Sequence, residues 1–369
     1  MQDRKQVDVL VIGGGVIGCA IARQLSRRAV TVALVEAHED VSMGSSKANS
    51  AIVHAGYDAK PGSMMARMNV AGNAMYDQWS EELEVPLKRI GSLVIAFCEA
   101  DERELSVLYA QGLSNGVPGM QLISGERARE LEPTLSPDVT AALWAKTGAI
   151  TCPYQLTVAC YENAVHNGVQ AYMDTPVRSI EQTDDGFLVH CEGNVFQARY
   201  VVNAAGIYAD EIARMVGDDS FAIHPRRGEY MLLDHSDNVM SRVIFQTPSP
   251  MGKGVLVSPT VDDNAFAGPS AEDINDPEDT ATTDGGMDVI KRLSLRSVPK
   301  LNLRGVITAF SGLRAQASTG DFVLGPCQAA PRMIHAAGIC SPGLTAAPAI
   351  ADYTVEALEA AGLSMPVKD

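Results

Sequence analysis

The chain of 369 residues has no Cys-x-x-Cys pair, and its seven cysteines, at 19, 98, 152, 160, 191, 327 and 340, are odd in number. A disulfide framework, a zinc site or an iron–sulfur site needs thiols grouped at set spacings, so none of these, and no bound metal, is expected. A reducing, cytoplasmic compartment fits that pattern. No stretch reaches the roughly 18 apolar residues of a membrane span. The opening residues 1–5 lead into a short apolar run ended by glycines, not into a leader with a cleavage site. Peripheral membrane contact stays open.

Positive charge is also scarce: 29 Lys and Arg stand against 45 Asp and Glu, for a formal net charge of −16, and the densest basic run is Arg226-Arg227. That balance repels phosphate backbones and argues against nucleic acid as a partner. There is no internal repeat and no low-complexity tract. With 46% hydrophobic and 20% charged residues, the composition is that of an ordinary globular chain, long enough for two domains.

What is present is an alternation of strand and helix. Residues 7–12 form an apolar, β-branched run stopped by glycines, 16–28 read as a helix and 31–35 as a strand. Helices are expected over 64–82, 101–112, 125–131 and 153–168, and strands over 93–97, 169–173, 177–180, 187–191 and 200–205. Methionines 64, 68 and 75 read as core filling. From 221 to 321 the pattern changes to short strands such as 229–233 and 254–258, with the acidic stretch 262–284 as an exposed loop or a substrate lid. The fold class is therefore α/β, with a second, mixed-sheet unit.

The turn Gly13-Gly14-Gly15-Val16-Ile17-Gly18 has G-x-G-x-x-G spacing between a strand and a helix, and Glu36 closes the next strand 18 residues after Gly18. Gly13 permits the tight turn, Gly15 lets backbone approach a pyrophosphate, and Gly18 lets the helix pack on the strand. The helix N-terminus, at Val16 and Ile17, offers N–H groups to the anion. Glu36 would accept hydrogen bonds from ribose hydroxyls and disfavour a 2′-phosphate. The bland alternative is a structural glycine turn, and this unit alone does not separate FAD from NAD.

Four stretches settle that choice by resemblance. Residues 13–36, Ser45-Ser46-Lys47-Ala48-Asn49-Ser50-Ala51-Ile52-Val53-His54-Ala55-Gly56, Val201-Val202-Asn203-Ala204-Ala205-Gly206 and Gly338-Ile339-Cys340-Ser341-Pro342-Gly343-Leu344-Thr345 span nearly the whole chain. In this order the arrangement resembles the FAD-dependent D-amino-acid-oxidase-like superfamily, in its glycerol-3-phosphate dehydrogenase and L-2-hydroxyglutarate dehydrogenase branches. The resemblance implies a Rossmann-like FAD-binding domain over 1–75, 146–220 and 305–369, interleaved with a substrate domain over 76–145 and 221–304.

It also implies site residues. Ser45, Ser46, Asn49 and Ser50 would contact FAD, Val177 would meet the adenine through its backbone, and Ala205 and Gly206 would return to the cofactor. Gly338, Gly343, Leu344 and Thr345 lead into a helix over 346–361 whose partly positive N-terminus would favour reduced flavin, with Thr345 as its N-cap and Pro348 in its first turn. An ordinary capped helix is the alternative. His54 would take a proton from the substrate hydroxyl, or else be a structural histidine. Arg314 would grip the substrate anion, or else form a surface ion pair. Arg227 and Tyr230 would line the pocket, and Tyr230 is counted with the catalytic group.

The implied chemistry is hydride transfer from a small anionic secondary alcohol to flavin N5. Glycerol 3-phosphate leads over L-2-hydroxyglutarate, and an amino-acid or amine oxidase is third. Residues 314–316 look closer to the hydroxyglutarate branch and 45–62 to the glycerol-3-phosphate branch. An NAD-dependent dehydrogenase and a non-catalytic nucleotide-binding protein are the readings from other classes. The electron acceptor, whether quinone, O2 or a partner protein, stays open. Longer relatives append a cysteine-rich C-terminal region, and electron transfer through such a region is not expected here.

Overall fold

In the computed structural model, which describes residues 4–234, 240–248 and 254–368, the apolar run near the N-terminus becomes the strand Arg4–Ile12. Val9, Leu10 and Val11 are fully buried there, as befits a strand covered on both faces. It pairs in parallel with Val32–Val35 on one side and Asn194–Asn203 on the other. Gln170–Tyr172 and Met333–Ala337 extend this parallel core outward. The antiparallel hairpin Val177–Thr183 and Gly186–Cys191 and the strand Val323–Pro326 complete an eight-stranded sheet. The helices Val16–Ser26, Pro153–His166 and Gly343–Ala360 share one hydrophobic core on a face of this sheet, through Ile21, Leu156 and Ile350 among others.

A second, nine-stranded mixed sheet carries Ser92–Ala96, Met120–Ser124, Ala141–Ala145, Ile223–Leu233, Val243–Gln246, Leu256–Pro259, Ala265–Gly268, Glu272–Asp273 and Val306–Ala317. Its longest pairing joins Ile223–Leu233 to Val306–Ala317, antiparallel, with Arg226 opposite Arg314 and Tyr230 opposite Phe310. The expected segment 305–369 is thus divided: residues 306–317 pair in the second sheet and 333–337 in the first. A small sheet of Ile52–Val53, Leu87–Lys88 and Ala149–Thr151 lies apart from both.

Several expectations are corrected. The region 221–321 holds two strands of 11 and 12 residues and a helix, Asp284–Ser297, where only short strands were read. Two glycines in that helix's first turn mask it, although Thr283 caps it by accepting from Gly286 N–H. Part of the acidic stretch 262–284 is strand, at Ala265–Gly268 and Glu272–Asp273. The C-terminal helix starts at Gly343, so Thr345 lies inside it and is not its N-cap, and Pro348 falls beyond the first turn. A proline at 348 has no N–H for the Leu344 carbonyl, and the buried Tyr76 hydroxyl donates to that oxygen instead, at 2.5 Å.

Candidate functional site

The glycine turn behaves as its spacing requires. Gly13 has φ +112°, and a Cβ there would lie 2.4 Å from the Ala204 carbonyl oxygen, so strand end and turn can touch only at glycine. A Cβ on Gly18 would lie 1.9 Å from the Gly13 carbonyl oxygen, which is why the helix packs so close. The helix N-terminus faces a cavity with Gly13, Gly15, Val16 and Ile17 in its wall. Glu36 closes this end. One carboxylate oxygen accepts from Gly14 N–H at 2.6 Å and the other from His38 N–H at 3.0 Å.

The cavity, of about 1090 Å³, runs from Glu36 between the two sheets to Arg314, Tyr230 and Phe245. Ordinary small-molecule pockets hold roughly 300–1,000 Å³, so the space suits a dinucleotide with a small substrate beside it. Ser45, Ser46, Asn49, Ser50, Val177, Ala205, Gly206, Gly343 and Leu344 line it as well. Gly206, at φ +59°, has no atom within 4 Å of where a Cβ would sit, which leaves its cavity side open to a ligand.

Three of the loop side chains hold backbone in place. Ser45 Oγ donates to the Leu313 carbonyl, and Asn49 Nδ2 donates to the Ser45 and Ser46 carbonyls. Ser46 Oγ accepts from Val16 N–H at 2.8 Å, tying the loop to the helix start. The small side chains thus bring backbone, more than functional groups, to the cavity wall. Three expected contacts do not line it at all. Gly18 and Thr345 are buried behind it, and Gly338 is a packing glycine whose Cβ would press to 2.6 Å from Ala317 Cβ.

His54 sits where the two chain ends meet. Its N–H donates to Thr345 Oγ1 at 2.9 Å, and its carbonyl accepts from Asn69 Nδ2 at 2.9 Å and Asn73 Nδ2 at 3.0 Å. Its ring lines the cavity, with Ser341 Oγ 3.4 Å from Nε2 and the Phe245 ring centroid at 5.8 Å.

On the opposite wall, period-two alternation turns Arg226, Gly228 and Tyr230 to the cavity side and Arg227 and Glu229 away. Arg227 is therefore not a pocket residue: it is buried and ion-paired with Glu272 at 2.5 Å and Asp279 at 2.9 Å. Arg226 lines the cavity in its place, and its fork is taken up by Asp273. Arg314 lies over Gly228, where a Cβ would come 2.5 Å from its Nη2. Among the described residues no carboxylate pairs with Arg314; its partners are the Ser270 carbonyl at 3.5 Å and the Tyr230 hydroxyl. Burial raises the Tyr230 phenol above its ordinary range, against the pull of the Arg314 charge, so it stays protonated. Its ring stacks on Phe310 at 4.9 Å.

Sequence reasoning missed Lys47, Arg226, Phe245, Gln316, Cys340 and Ser341 as wall residues. Alternation counted back from Tyr230 would have found Arg226, and proximity to the helix start would have found Ser341. Phe245 lies on a strand that was not read.

A two-sheet body with a glycine-turn dinucleotide groove opening onto a histidine and a guanidinium that meets no carboxylate among the described residues is the build of a dinucleotide-dependent oxidoreductase. The chain matches the family described as FAD dependent oxidoreductase over residues 8–357, and it belongs to that family. Over 353 residues it is 47% identical to a glycerol 3-phosphate dehydrogenase of Caloramator mitchellensis, covering 95% of this chain and 74% of that one. The solved L-alpha-glycerophosphate oxidase of Mycoplasma pneumoniae, dithionite reduced with FAD bound, superposes with a TM-score of 0.93 at 32% identity, covering 99% of this chain and 97% of that one. A mitochondrial L-2-hydroxyglutarate dehydrogenase of Caenorhabditis elegans is 27% identical over 402 residues, covering 95% of this chain and 92% of that one. The protein is thus an FAD-dependent oxidoreductase. The residues present suit that cofactor: a Cβ at Gly13 or Gly18 would close the turn, and Gly206 keeps open space on its cavity side. Among the described residues no helix is long and apolar enough to cross a membrane.

Proposed function

We propose that the protein oxidises the secondary hydroxyl of glycerol 3-phosphate to a ketone. The observation that carries this reading is Arg314, a guanidinium on the cavity wall that no carboxylate among the described residues pairs with, while its neighbours Arg226 and Arg227 are both committed to carboxylates. The 47% identical dehydrogenase supports the choice of a phosphate ester over a 2-hydroxy acid. In this reading the first sheet and its helices hold FAD through Gly13, Gly15, Val16, Ile17, Glu36, Val177, Ala205 and Gly206. Residues 45–50 and the start of the C-terminal helix flank the ring, and the second sheet holds the substrate.

FAD supplies the acceptor for the hydride that leaves the carbinol carbon. The chain's own residues do the rest. Arg314 binds the phosphate oxygens through its fork, and Tyr230 orients that fork by accepting from it. His54 Nε2 takes the hydroxyl proton as the C–O double bond forms, with Ser341 Oγ within reach of the same nitrogen. The apolar wall of Phe245 and Leu256 keeps water from the reacting carbon.

The test is anaerobic bleaching of the flavin absorbance by glycerol 3-phosphate, L-2-hydroxyglutarate and amino acids in parallel. Bleaching by glycerol 3-phosphate at the lowest concentration is expected. Bleaching by L-2-hydroxyglutarate or an amino acid alone would overturn the substrate, and a flavin reduced at the parent rate in His54→Ala would remove His54 from proton transfer.

A further inference from the structure

His54 walls two cavities. Besides the large one it borders a second, of about 10 Å³, lined with it by Gly56, Tyr57, Asp58, Ala59, Asn69 and Pro342. That is room for about one water, and the lining offers the polar partners a water needs. Asp58 belongs to the small cavity and not to the large one. It is partly exposed, between buried Tyr57 and buried Ala59, so it touches both the small cavity and solvent.

The turn that presents it is pinned. Asn115 Nδ2 donates to the Gly56 carbonyl at 2.9 Å and to the Ala59 carbonyl at 2.8 Å, bracketing Tyr57-Asp58. Gly56 has φ +116°, and a Cβ there would lie 2.7 Å from Val70. Tyr57 does not carry protons: burial, with the Asp58 charge, pushes its phenol well up, and its hydroxyl is hydrogen-bonded to Ser92.

We propose that Asp58, through one water in the small cavity, is the exit path for the proton that His54 takes from substrate. The proposal rests on His54 acting as the base. With product and cofactor in the large cavity, a proton on His54 has no route out on that side, so without the relay each cycle waits on His54 losing its proton after product has left. On the other side the imidazolium N–H bond breaks as an O–H bond forms on the water, and the water passes a proton to the Asp58 carboxylate. Asp58 then loses its proton to solvent, so His54 is returned to its neutral form with no net change in the relay. Asp58 touches neither substrate nor cofactor and is a relay residue.

The test separates one turnover from many. In the flavin-loaded Asp58→Asn protein, anaerobic reduction by glycerol 3-phosphate in a single turnover stays within about twofold of the parent, because a neutral His54 can take one proton unaided. Steady-state turnover with a saturating redox dye as acceptor falls by about tenfold or more, toward the roughly 10²-fold that loss of a positioned proton carrier costs. Added formate restores turnover as a diffusible carrier, and a pH-indicator dye shows proton release lagging behind flavin reduction. Asp58→Ser is read in the same way if the Asn variant does not retain flavin. Unchanged turnover overturns the relay, as does an equal loss in both experiments without rescue by formate, which marks a structural role. If His54→Ala reduces its flavin at the parent rate, the base assignment fails, whatever the Asp58 variants do.

Discussion

Removing the Tyr76 hydroxyl should loosen the C-terminal helix where it meets the cavity, and removing Pro348 should undo the damage. Pro348 deprives the Leu344 carbonyl of its helical donor, and Tyr76 Oη fills that place at 2.5 Å. Burial, with Cys160 nearby, raises the Tyr76 phenol well above its ordinary range, so the hydroxyl stays a donor at any working pH. Tyr76 is 2% exposed, so water does not replace the lost hydroxyl in Tyr76→Phe, and the orphaned carbonyl costs about 1–3 kcal/mol. At roughly 2–4 °C per kcal/mol for a large domain, the melting temperature falls by about 2–12 °C. In Pro348→Ala the backbone N–H of residue 348 is restored and reaches the same carbonyl. Tyr76→Phe should therefore cost about 1 kcal/mol less in the Pro348→Ala background than in the parent, and that difference is the coupling between the two sites. Thermal unfolding of all four proteins, saturated with FAD, reads this directly. If Tyr76→Phe costs the same with and without Pro348, the hydroxyl is not replacing the missing donor and the reasoning fails.

Other expectations are simpler to read. Arg314→Ala should raise the KM for glycerol 3-phosphate roughly 10- to 100-fold, from the loss of about 1.5–3 kcal/mol of charge-assisted hydrogen bonding, with flavin content unchanged; an unaltered KM refutes the clamp. In Gly286→Ala the new methyl would sit 1.4 Å from Glu229 Oε2, a buried carboxylate that Ser270 Oγ and Thr283 N–H hold, and a loss of several degrees in melting temperature should follow. Acid should weaken the fold in a defined window. Burial alone would raise the Glu82 and Asp218 carboxyls, but hydrogen bonds outweigh it, from Gln78, Arg23 and Arg27 for Glu82 and from Ser220, His335 and Cys327 for Asp218, and both fall to about 2. These folded-state values lie below the usual 4.5 and 3.8, so the stabilisation is complete above about pH 4.5 and is lost as pH falls toward 2. The melting temperature of Glu82→Gln should converge on that of the parent across this window, and parallel curves would count against the assignment.

The glycine-turn unit was legible because each of its signals is local. Strand, turn, helix and terminal acid lie within 33 residues, and each glycine answers to a steric demand that sequence spacing encodes. His54 and Arg314 could be chosen only through family resemblance, since nothing local to either residue shows that His54 faces Ser341 or that no carboxylate among the described residues meets Arg314. The choice of Arg227 over Arg226 failed on a point the sequence did contain, the parity of a strand whose Tyr230 side was already fixed. Thr345 looked like an N-cap because a threonine before an alanine-rich run usually is one. Its hydroxyl instead accepts from His54 N–H and donates to the Ile52 carbonyl, a use that only the folded chain reveals. The helix Asp284–Ser297 escaped because glycines in its first turn outweigh the spacing of Met287, Ile290 and Leu293 when propensity is read residue by residue.

The contacts that close the site join segments far apart in the chain at distances only small residues allow. His54 and Thr345 are 291 residues apart. A Cβ on Gly312 would lie 1.9 Å from the Ala48 carbonyl oxygen, and one on Gly72 would lie 2.1 Å from that of Thr345. Such contacts reward the chain only after most of its loop-closure entropy has been spent, so the cavity is expected to form late in folding. A cofactor that needs the finished cavity binds the native state and not its precursors, and it stabilises that state in proportion to the logarithm of its concentration above Kd. A larger residue at 312 should then act on flavin retention before it acts on the rest of the fold, because it parts Gly312 from Ala48, both of which wall the cavity, whereas one at 72 should also loosen the core between the helices Met64–Leu83 and Gly343–Ala360.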